Sequence, residues 1–388
     1  MNIVILGASC FDGMATSQRV KNLMLPLVQN GKIRVANLIY EKDTEAKISK
    51  KGRINEISYQ IIGYKLRNIF SVFNFYSTGI HFLRANKIAG QKNIIYNYSY
   101  LDIQNLIFIC YGKLIGYKII FDIVEDNNTY SYFPTFIFWL RNASSKLFLR
   151  LIPVFADSII AISSHLVLKM KSLTKKTTVH LIPITVNLNY FPTSHQSSPE
   201  YPLFKIFYGG SFGLKDGFEY LIKSFEEINQ VHPNTQLVLT GKGMDHDMLR
   251  VEELINHSDL KNNIFYAGYL ETDEYYALLN ECHIFCMTRI NSKFANAGFP
   301  FKLGEFLATG KAVIATDIGD VTQYLENKRN ALVIKPNSVE ELVSAFNYLI
   351  ENPHLIDKLG KEGRKTVEKY FDTYKVSLNL FKLLQGIK

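Results

Sequence analysis

Four cysteines in 388 residues (Cys10, Cys110, Cys282 and Cys286) are too few for a disulfide framework. Free thiols without a leader lead us to expect a protein of the reducing cytosol. Proline (11) and glycine (23) are sparse and 47% of the residues are hydrophobic, which argues against a collagen-like repeat, a low-complexity scaffold or intrinsic disorder. No apolar stretch reaches the roughly 18 residues of a spanning helix, and Ile3-Val4-Ile5-Leu6 is too short for the apolar part of a signal peptide. No Gly-x-Ser-x-Gly elbow, phosphate-loop lysine motif or zincin histidine pair occurs, which disfavours hydrolase, ATPase and metalloprotease chemistry. Acidic residues are scarce in one half only. Residues 1–200 hold 23 Lys and Arg against 11 Asp and Glu, and residues 201–388 hold 21 against 24, so the net +9 divides into +12 and −3. A basic half fits a phosphorylated ligand or an anionic membrane surface, and lysines scattered over solvated faces fit equally well. Nucleic acid is disfavoured because no reading motif accompanies the charge.

Short apolar runs alternate with amphipathic segments through most of the chain. Val4-Ile5-Leu6, Ile94-Ile95-Tyr96, Lys118 to Phe121, Ser158 to Ile162 and Val179 to Ile182 read as strands buried on both faces of a parallel sheet. Between Pro183 and Pro202 the pattern breaks at Pro192, Pro199 and a polar cluster, Thr193 to Ser198. A second series follows at 205–208, 236–239, 263–266, 283–286, 312–315 and 331–334. The fold class is therefore α/β, with two doubly wound, Rossmann-like domains. The expected division is 1–186, a linker at 187–202, a second domain at 203–365, and a final helical segment at 366–388 that crosses back to the first domain. Tyr132 to Phe155 interleaves aromatic residues with Arg141, Lys146 and Arg150. That pattern suits a helix lying in a membrane interface, and equally an ordinary pair of core helices.

The most informative stretch runs from Phe285 to Leu325. Gly298 permits close backbone approach, and Pro300 suits the start of a helix whose free amides would face an anion. Lys302 adds a full charge there, and Glu305, three residues on, points along the same side. A phosphate at the helix start would thus have a carboxylate nearby for the paired hydroxyls of a ribose. Cys282-His283-x-x-Cys286 contains potential ligands, but it lies in a strand pattern where 283 faces away from 282 and 286. No metal site and no bound cofactor are expected.

Phe299-Pro-Phe-Lys302-Leu-Gly-Glu305-Phe-Leu-Ala-Thr-Gly310 resembles the donor-site element of the retaining nucleotide-sugar glycosyltransferases of group 1 (family 4), in a proline-lysine variant. The resemblance spans nearly the whole chain and implies the GT-B fold, two such domains facing across a cleft. It implies that Glu305 holds the donor ribose; the family's other glutamate, eight residues earlier, is here Ala297. Asn296 or the amides of Gly298 to Phe301 are candidates to replace it. Tyr208 to Gly217 resembles the segment that opens the donor domain, where Lys215 matches the phosphate-clamping lysine and Ser211 stands at the usual arginine. Arg289 is the candidate for the missing guanidinium, with a plain surface residue as the alternative. Gly241, in Thr240-Gly-Lys-Gly243, matches a loop near the nucleotide, and Gly13 matches the glycine loop of the first domain, with Arg19 a further candidate. Phe299 and Gly298 complete the donor-binding set. Glu125 and Asp126 end a strand where relatives carry a group facing the acceptor, although acids capping the next helix would look the same.

The activity implied is metal-independent sugar transfer, with Lys215, Lys302, Glu125 and Asp126 as the candidate catalytic residues. The partners implied are a nucleoside-diphosphate sugar, UDP- or GDP-linked, and a saccharide or lipid-linked acceptor of surface polysaccharide synthesis. The basic first half places the expected protein in the cytoplasm, peripheral on an anionic membrane. A catalytically silent nucleotide-sugar-binding or partner protein, and a nucleotide-sugar epimerase, are the alternatives.

Overall fold

A computed structural model describes residues 1–10, 15–41, 50–63, 68–126, 136–192 and 203–387, without the side chains of 15 and 136–144. The chain divides into two compact units, Met1–Pro183 with Thr373–Lys388, and Ile184–Asp372.

The first unit runs β1 (Asn2–Leu6), α1 (Ala15–Gln29), β2 (Arg34–Glu41), β3 (Lys50–Ile54), β4 (Ile57–Gly63), α2 (Ile69–Ala85) and β5 (Asn93–Tyr98). It continues with α3 (Ile103–Leu114), β6 (Lys118–Ile123), α4 (Phe136–Phe155), β7 (Ser158–Ala161), α5 (Ser164–Leu173) and β8 (Thr178–Leu181). Its eight-stranded sheet has the order β3-β4-β2-β1-β5-β6-β7-β8, parallel except for the β3–β4 hairpin. Every residue of β1, β5 and β7 is buried, as a strand covered on both faces requires. The expectation of two buried faces fails at β8, where only Val179 is buried, because β8 is the end of the sheet with a neighbour on one side. At the opposite end the hairpin turns through Asn55 and Glu56, both at positive φ (47° and 66°), as the twist-matched two-residue turn demands.

Arg19 of α1 lies inside this unit, 1% exposed. Its guanidinium donates to both Asp122 carboxylate oxygens (2.8 and 2.9 Å) and to the carbonyls of Ile182 (2.9 Å) and Pro183 (2.7 Å). The Tyr96 hydroxyl donates to the same carboxylate. Burial alone would lower the Arg19 pKa, but the Asp122 charge and its hydrogen bonds outweigh it and the net shift is upward. Arg19 is thus consumed by the interior of the first unit, so the expectation that it reaches a phosphate is corrected.

The second unit runs β9 (Phe204–Gly210), α6 (Phe218–Val231), β10 (Thr235–Gly241), α7 (Asp245–His257), β11 (Ile264–Tyr266), α8 (Thr272–Glu281) and β12 (Ile284–Met287). Then come α9 (Lys293–Ala297), α10 (Phe301–Ala308), β13 (Ala312–Thr316), α11 (Val321–Tyr324), β14 (Leu332–Ile334), α12 (Val339–Ile350) and α13 (His354–Tyr370). All pairings in the sheet order β11-β10-β9-β12-β13-β14 are parallel, the order of a dinucleotide-binding domain. Ile206, Leu237 and Ile284 meet Phe225 of α6 and Phe346 of α12 in its core.

Residues 193–202 of the expected linker lie outside the described residues. The residues before them belong to the second unit: Val186 donates to the Phe371 carbonyl at 2.7 Å, and Phe191 is buried. The chain passes from one unit to the other between Asp372 and Thr373, after α13. Helix α14 (Thr373–Gly386) packs in the first unit, where Ser377 Oγ donates to Asn22 O (2.9 Å) and Lys92 Nζ caps the last carbonyls at Gln385 (2.7 Å) and Ile387 (2.6 Å).

At the entry to β12, His283 Nδ1 accepts the Lys205 backbone N–H at 3.0 Å, which requires an unprotonated nitrogen. Burial, then the charges of Lys311 and Lys205, push this imidazole down from 6.5 to about 4.

Two outcomes follow from these buried groups. Asp122→Asn leaves Arg19 with an uncompensated buried charge and is expected to cost about 3–5 kcal/mol in urea unfolding. The pair Arg19→Met with Asp122→Leu should recover much of that loss. For His283, the folded ring stays neutral where the unfolded one protonates, so its contribution is full above pH 6.5 and is lost as pH falls towards about 4. His283→Asn keeps an acceptor but cannot titrate, and should flatten the melting-temperature profile over that window relative to the parent protein.

Candidate functional site

In an open parallel sheet, ligands bind beyond the carboxyl ends of the strands where the winding reverses. In the second unit that point lies between β9 and β12. The loops leaving these strands, 211–217 and 288–300, are tied together around one acidic side chain. Asp216, 7% exposed, accepts from Ser211 Oγ (2.9 Å) and from the Gly213 amide (3.1 Å) through Oδ2, while Oδ1 faces Arg289 Nε at 3.7 Å. Its backbone carbonyl accepts from Thr288 Oγ1 (2.8 Å), and Ile290 donates to Lys215 O (2.9 Å). Gly217 is the hinge of this crossing: its φ is +66° and a Cβ there would lie 2.2 Å from the Thr288 carbonyl oxygen. Phe212 also adopts positive φ (55°), held by burial against Tyr208 and Phe218 and by Arg250, which donates to its carbonyl at 2.7 Å.

The loop after β10 closes against the first of these. Gly241 has φ +131°, and a Cβ would come within 1.9 Å of the Gly210 carbonyl oxygen, so no larger residue fits. Its own carbonyl accepts from Tyr266 Oη at 2.8 Å.

Helix α10 starts at this edge of the sheet. Lys302 Nζ and Glu305 Oε2 are 3.2 Å apart. Two neighbouring tyrosines of α8 also reach the carboxylate: Tyr275 Oη donates to Oε2 at 3.0 Å and Tyr276 Oη to Oε1 at 3.4 Å. The Lys302 ammonium lies 4.0 Å from the centre of the Tyr275 ring. Tyr276 stacks on Tyr190 (4.4 Å, 11°) and meets Phe191 edge-on (5.1 Å). Burial first, and then the Glu305 charge, push both hydroxyls above the usual tyrosine range, so they stay donors at neutral pH.

Of the residues expected from sequence, Ser211 and Lys215 lie on one loop and Arg289 on the other, joined through Asp216 and Ile290, Gly241 packs against Gly210 at the base of the first loop, and Lys302 and Glu305 form one pair. Lys215 Nζ lies over the Phe294 ring at 4.7 Å. Phe299 is corrected: its side chain is buried against Tyr324 (5.5 Å) and Phe371 (5.6 Å), so its ring is not open to a ligand. Gly298, at φ −98°, needs no glycine for its conformation. Asn296 is spent on the loop, accepting from Gly319 N (2.8 Å) and donating to Asn291 Oδ1 (2.7 Å), and is no stand-in for the glutamate replaced by Ala297. In the first unit Glu125 is exposed, whereas Asp126 is buried and paired with Lys169 (2.5 Å) and His165 (3.6 Å). Gly13 lies outside the described residues. Among those described, no group of three or more His, Cys, Asp and Glu is placed to hold a metal ion. Burial pushes the Cys282 thiol up to about 12 and Cys286 higher still, so both remain protonated.

Sequence reasoning missed Asp216, Tyr275 and Tyr276. An aspartate before a glycine in a loop, and an aromatic pair early in a helix, carry no signal of their own. Their role is set by partners far along the chain.

Residues 192–366 match the family model described as "Glycosyl transferases group 1". An uncharacterized glycosyltransferase of Haemophilus influenzae is 25% identical over 170 residues, 42% of this chain and 43% of the relative. One from Methanocaldococcus jannaschii is 24% identical over 166 residues, 43% and 41%. The matched part thus spans less than half the length of these curated relatives. Among solved structures, sucrose-phosphate synthase of Thermosynechococcus elongatus superposes with a TM-score of 0.75 at 15% identity, over 99% of this chain and 98% of the other. Anabaena HepE in complex with UDP-glucose superposes at 0.74 and 15%, over the whole of both chains. Residues 192–366 thus resemble the glycosyl transferases of group 1, and the fold is α/β with two Rossmann-like domains of the GT-B class.

Proposed function

We propose that the protein transfers a sugar from a nucleoside-diphosphate sugar to an acceptor hydroxyl with retention of anomeric configuration. The observation that carries this reading is the Lys302–Glu305 pair at the start of α10, beyond the carboxyl ends of the strands where the second sheet reverses. A cation and the helix start suit the diphosphate, and the carboxylate suits the ribose diol. The match over residues 192–366 and the UDP-glucose held by HepE support the same donor class.

Cleavage of the donor builds charge on the leaving diphosphate. Lys215, Lys302 and Arg289, with amides around Gly298 and Gly241, are the groups proposed to neutralise it, a task that fixed protein charges can perform without a metal. The departing phosphate can itself take the acceptor proton, so no separate base is required. Glu125, exposed at the end of β6, is the better candidate to orient the acceptor, because Asp126 is already paired.

The acceptor proposed is a lipid-linked saccharide of surface polysaccharide synthesis, met at the cytoplasmic face of an anionic membrane. Support comes from the first unit. Helix α4 exposes Lys146, Leu147, Arg150 and Val154 on one side while burying Leu149 and Ile152, and Ile69, Phe70 and Phe73 stand exposed at the start of α2. Among the described residues no helix is long and apolar enough to cross a membrane.

A second reading, a silent sugar-nucleotide-binding protein, is favoured by two departures: Ala297 for the first glutamate, and a Ser211 hydroxyl turned back onto Asp216. Transfer assays separate the two. Lys302→Ala and Glu305→Ala are each expected to lower turnover about a hundredfold, and unchanged turnover in either removes its assigned role. Donor class is read from thermal stabilisation by UDP- and GDP-sugars, which rises with the logarithm of ligand excess over the dissociation constant. In liposome flotation the protein should rise with anionic vesicles and not with neutral ones; failure with both contradicts the membrane reading.

A further inference from the structure

Tyr275 touches both charged groups of the α10 pair. Its hydroxyl donates to Glu305 Oε2 (3.0 Å), its ring face carries the Lys302 ammonium (4.0 Å to the centre), and Lys302 stands 3.2 Å from that same oxygen. The three groups close a triangle. Tyr275 is fixed independently of the other two, buried on α8 beside the Phe207 ring (6.4 Å). The Lys302 side chain is 42% exposed, and a long side chain with that freedom needs a seat to hold one position.

A carboxylate has about four acceptor directions. Tyr275 and Tyr276 (3.4 Å) take one on each oxygen of Glu305, and the Lys302 ion pair crowds Oε2, so Oε1 carries the open side. What is left is an acceptor aimed one way, and such an acceptor discriminates: a partner lacking the expected hydroxyl leaves it unpaired.

We propose that Tyr275 is the positioning residue of the donor site, its hydroxyl aiming the Glu305 carboxylate at a ribose hydroxyl and its ring seating Lys302, so that selectivity for ribo- over deoxyribonucleotides depends on this side chain. The proposal rests on Glu305 as the ribose contact. A purely structural tyrosine would fill the same space, yet its loss would weaken ribo and deoxy ligands alike.

The test is calorimetric titration of the full chain with UDP and GDP and with their 2′-deoxy and 3′-deoxy counterparts. The parent protein is expected to bind a ribonucleotide about tenfold or more tighter than at least one deoxy counterpart. Tyr275→Phe keeps the ring, and should lower that preference to about threefold or less while leaving deoxy affinity nearly unchanged. Tyr275→Leu removes the hydroxyl and the ring together, and should lower the preference as Tyr275→Phe does while also weakening both forms through Lys302. Glu305→Gln combined with Tyr275→Phe should lose no more preference than Glu305→Gln alone. Circular dichroism and unfolding temperature confirm that each variant is folded. A folded Tyr275→Phe or Tyr275→Leu with full preference, or a parent protein that binds without preference, overturns the inference and leaves the donor reading standing. A parent protein that binds none of these nucleotides overturns the donor reading and the inference with it.

Discussion

The carboxylate of Asp216 is the contact on which the site in the second unit depends. Two loops leave the sheet on opposite sides of its reversal point, and neither has a regular hydrogen-bond ladder to hold it. Asp216 supplies the substitute: its carboxylate fastens its own loop through Ser211 and Gly213 and faces Arg289 of the neighbouring one, while its backbone carbonyl accepts from Thr288. Bonds to a charged acceptor are worth about 1.5–3 kcal/mol each. Arg289 faces this carboxylate, and the Ile290 amide on the Lys215 carbonyl ties the two loops together, so two of the three candidate phosphate cations stand at this one crossing.

The two units use the same pair of residue types in opposite ways. In the first, Arg19 and Asp122 are both fully buried, and the remaining donors of the guanidinium are absorbed by Ile182 and Pro183. Such a pair fixes the end of a strand and offers nothing to a ligand. In the second, Arg289 sits 3.7 Å from Asp216 with its side chain 18% exposed, so the acid orients the cation without exhausting it. Exposure and donor count, rather than residue type, separate the structural arginine from the functional candidate. The Glu305 group follows the second pattern: a lysine, an acid and two tyrosines, partly open, beside a helix start.

Both sheets were largely readable from continuous apolar runs, because strands buried on both faces need them. Strands β2 to β4 were not. Asn37 interrupts β2, yet its side chain is buried and satisfied, accepting from Cys10 N (3.0 Å) and donating to Ala8 O (2.8 Å). Strand β3 is Lys-Lys-Gly-Arg-Ile, a charged edge that guards the sheet end and reads as loop. Lys302 and Glu305 were legible because their spacing on one helix face is local. Their tyrosine partners lie 29 and 30 residues away from Glu305, and a pair of aromatic residues on an amphipathic helix looks like core until the fold brings a carboxylate to it. Phe299 erred in the other direction: it lies within the donor motif, but the chain turns its ring inward onto Tyr324 and Phe371.

We place the bound nucleotide on the second unit, at the loops around Asp216 and the start of α10. Amide hydrogen exchange of the full chain, with and without saturating UDP or GDP, tests it most directly. Slowed exchange is expected at residues 211–217 and 298–303. Protection confined to the first unit, or none at either segment with bound nucleotide, would contradict it.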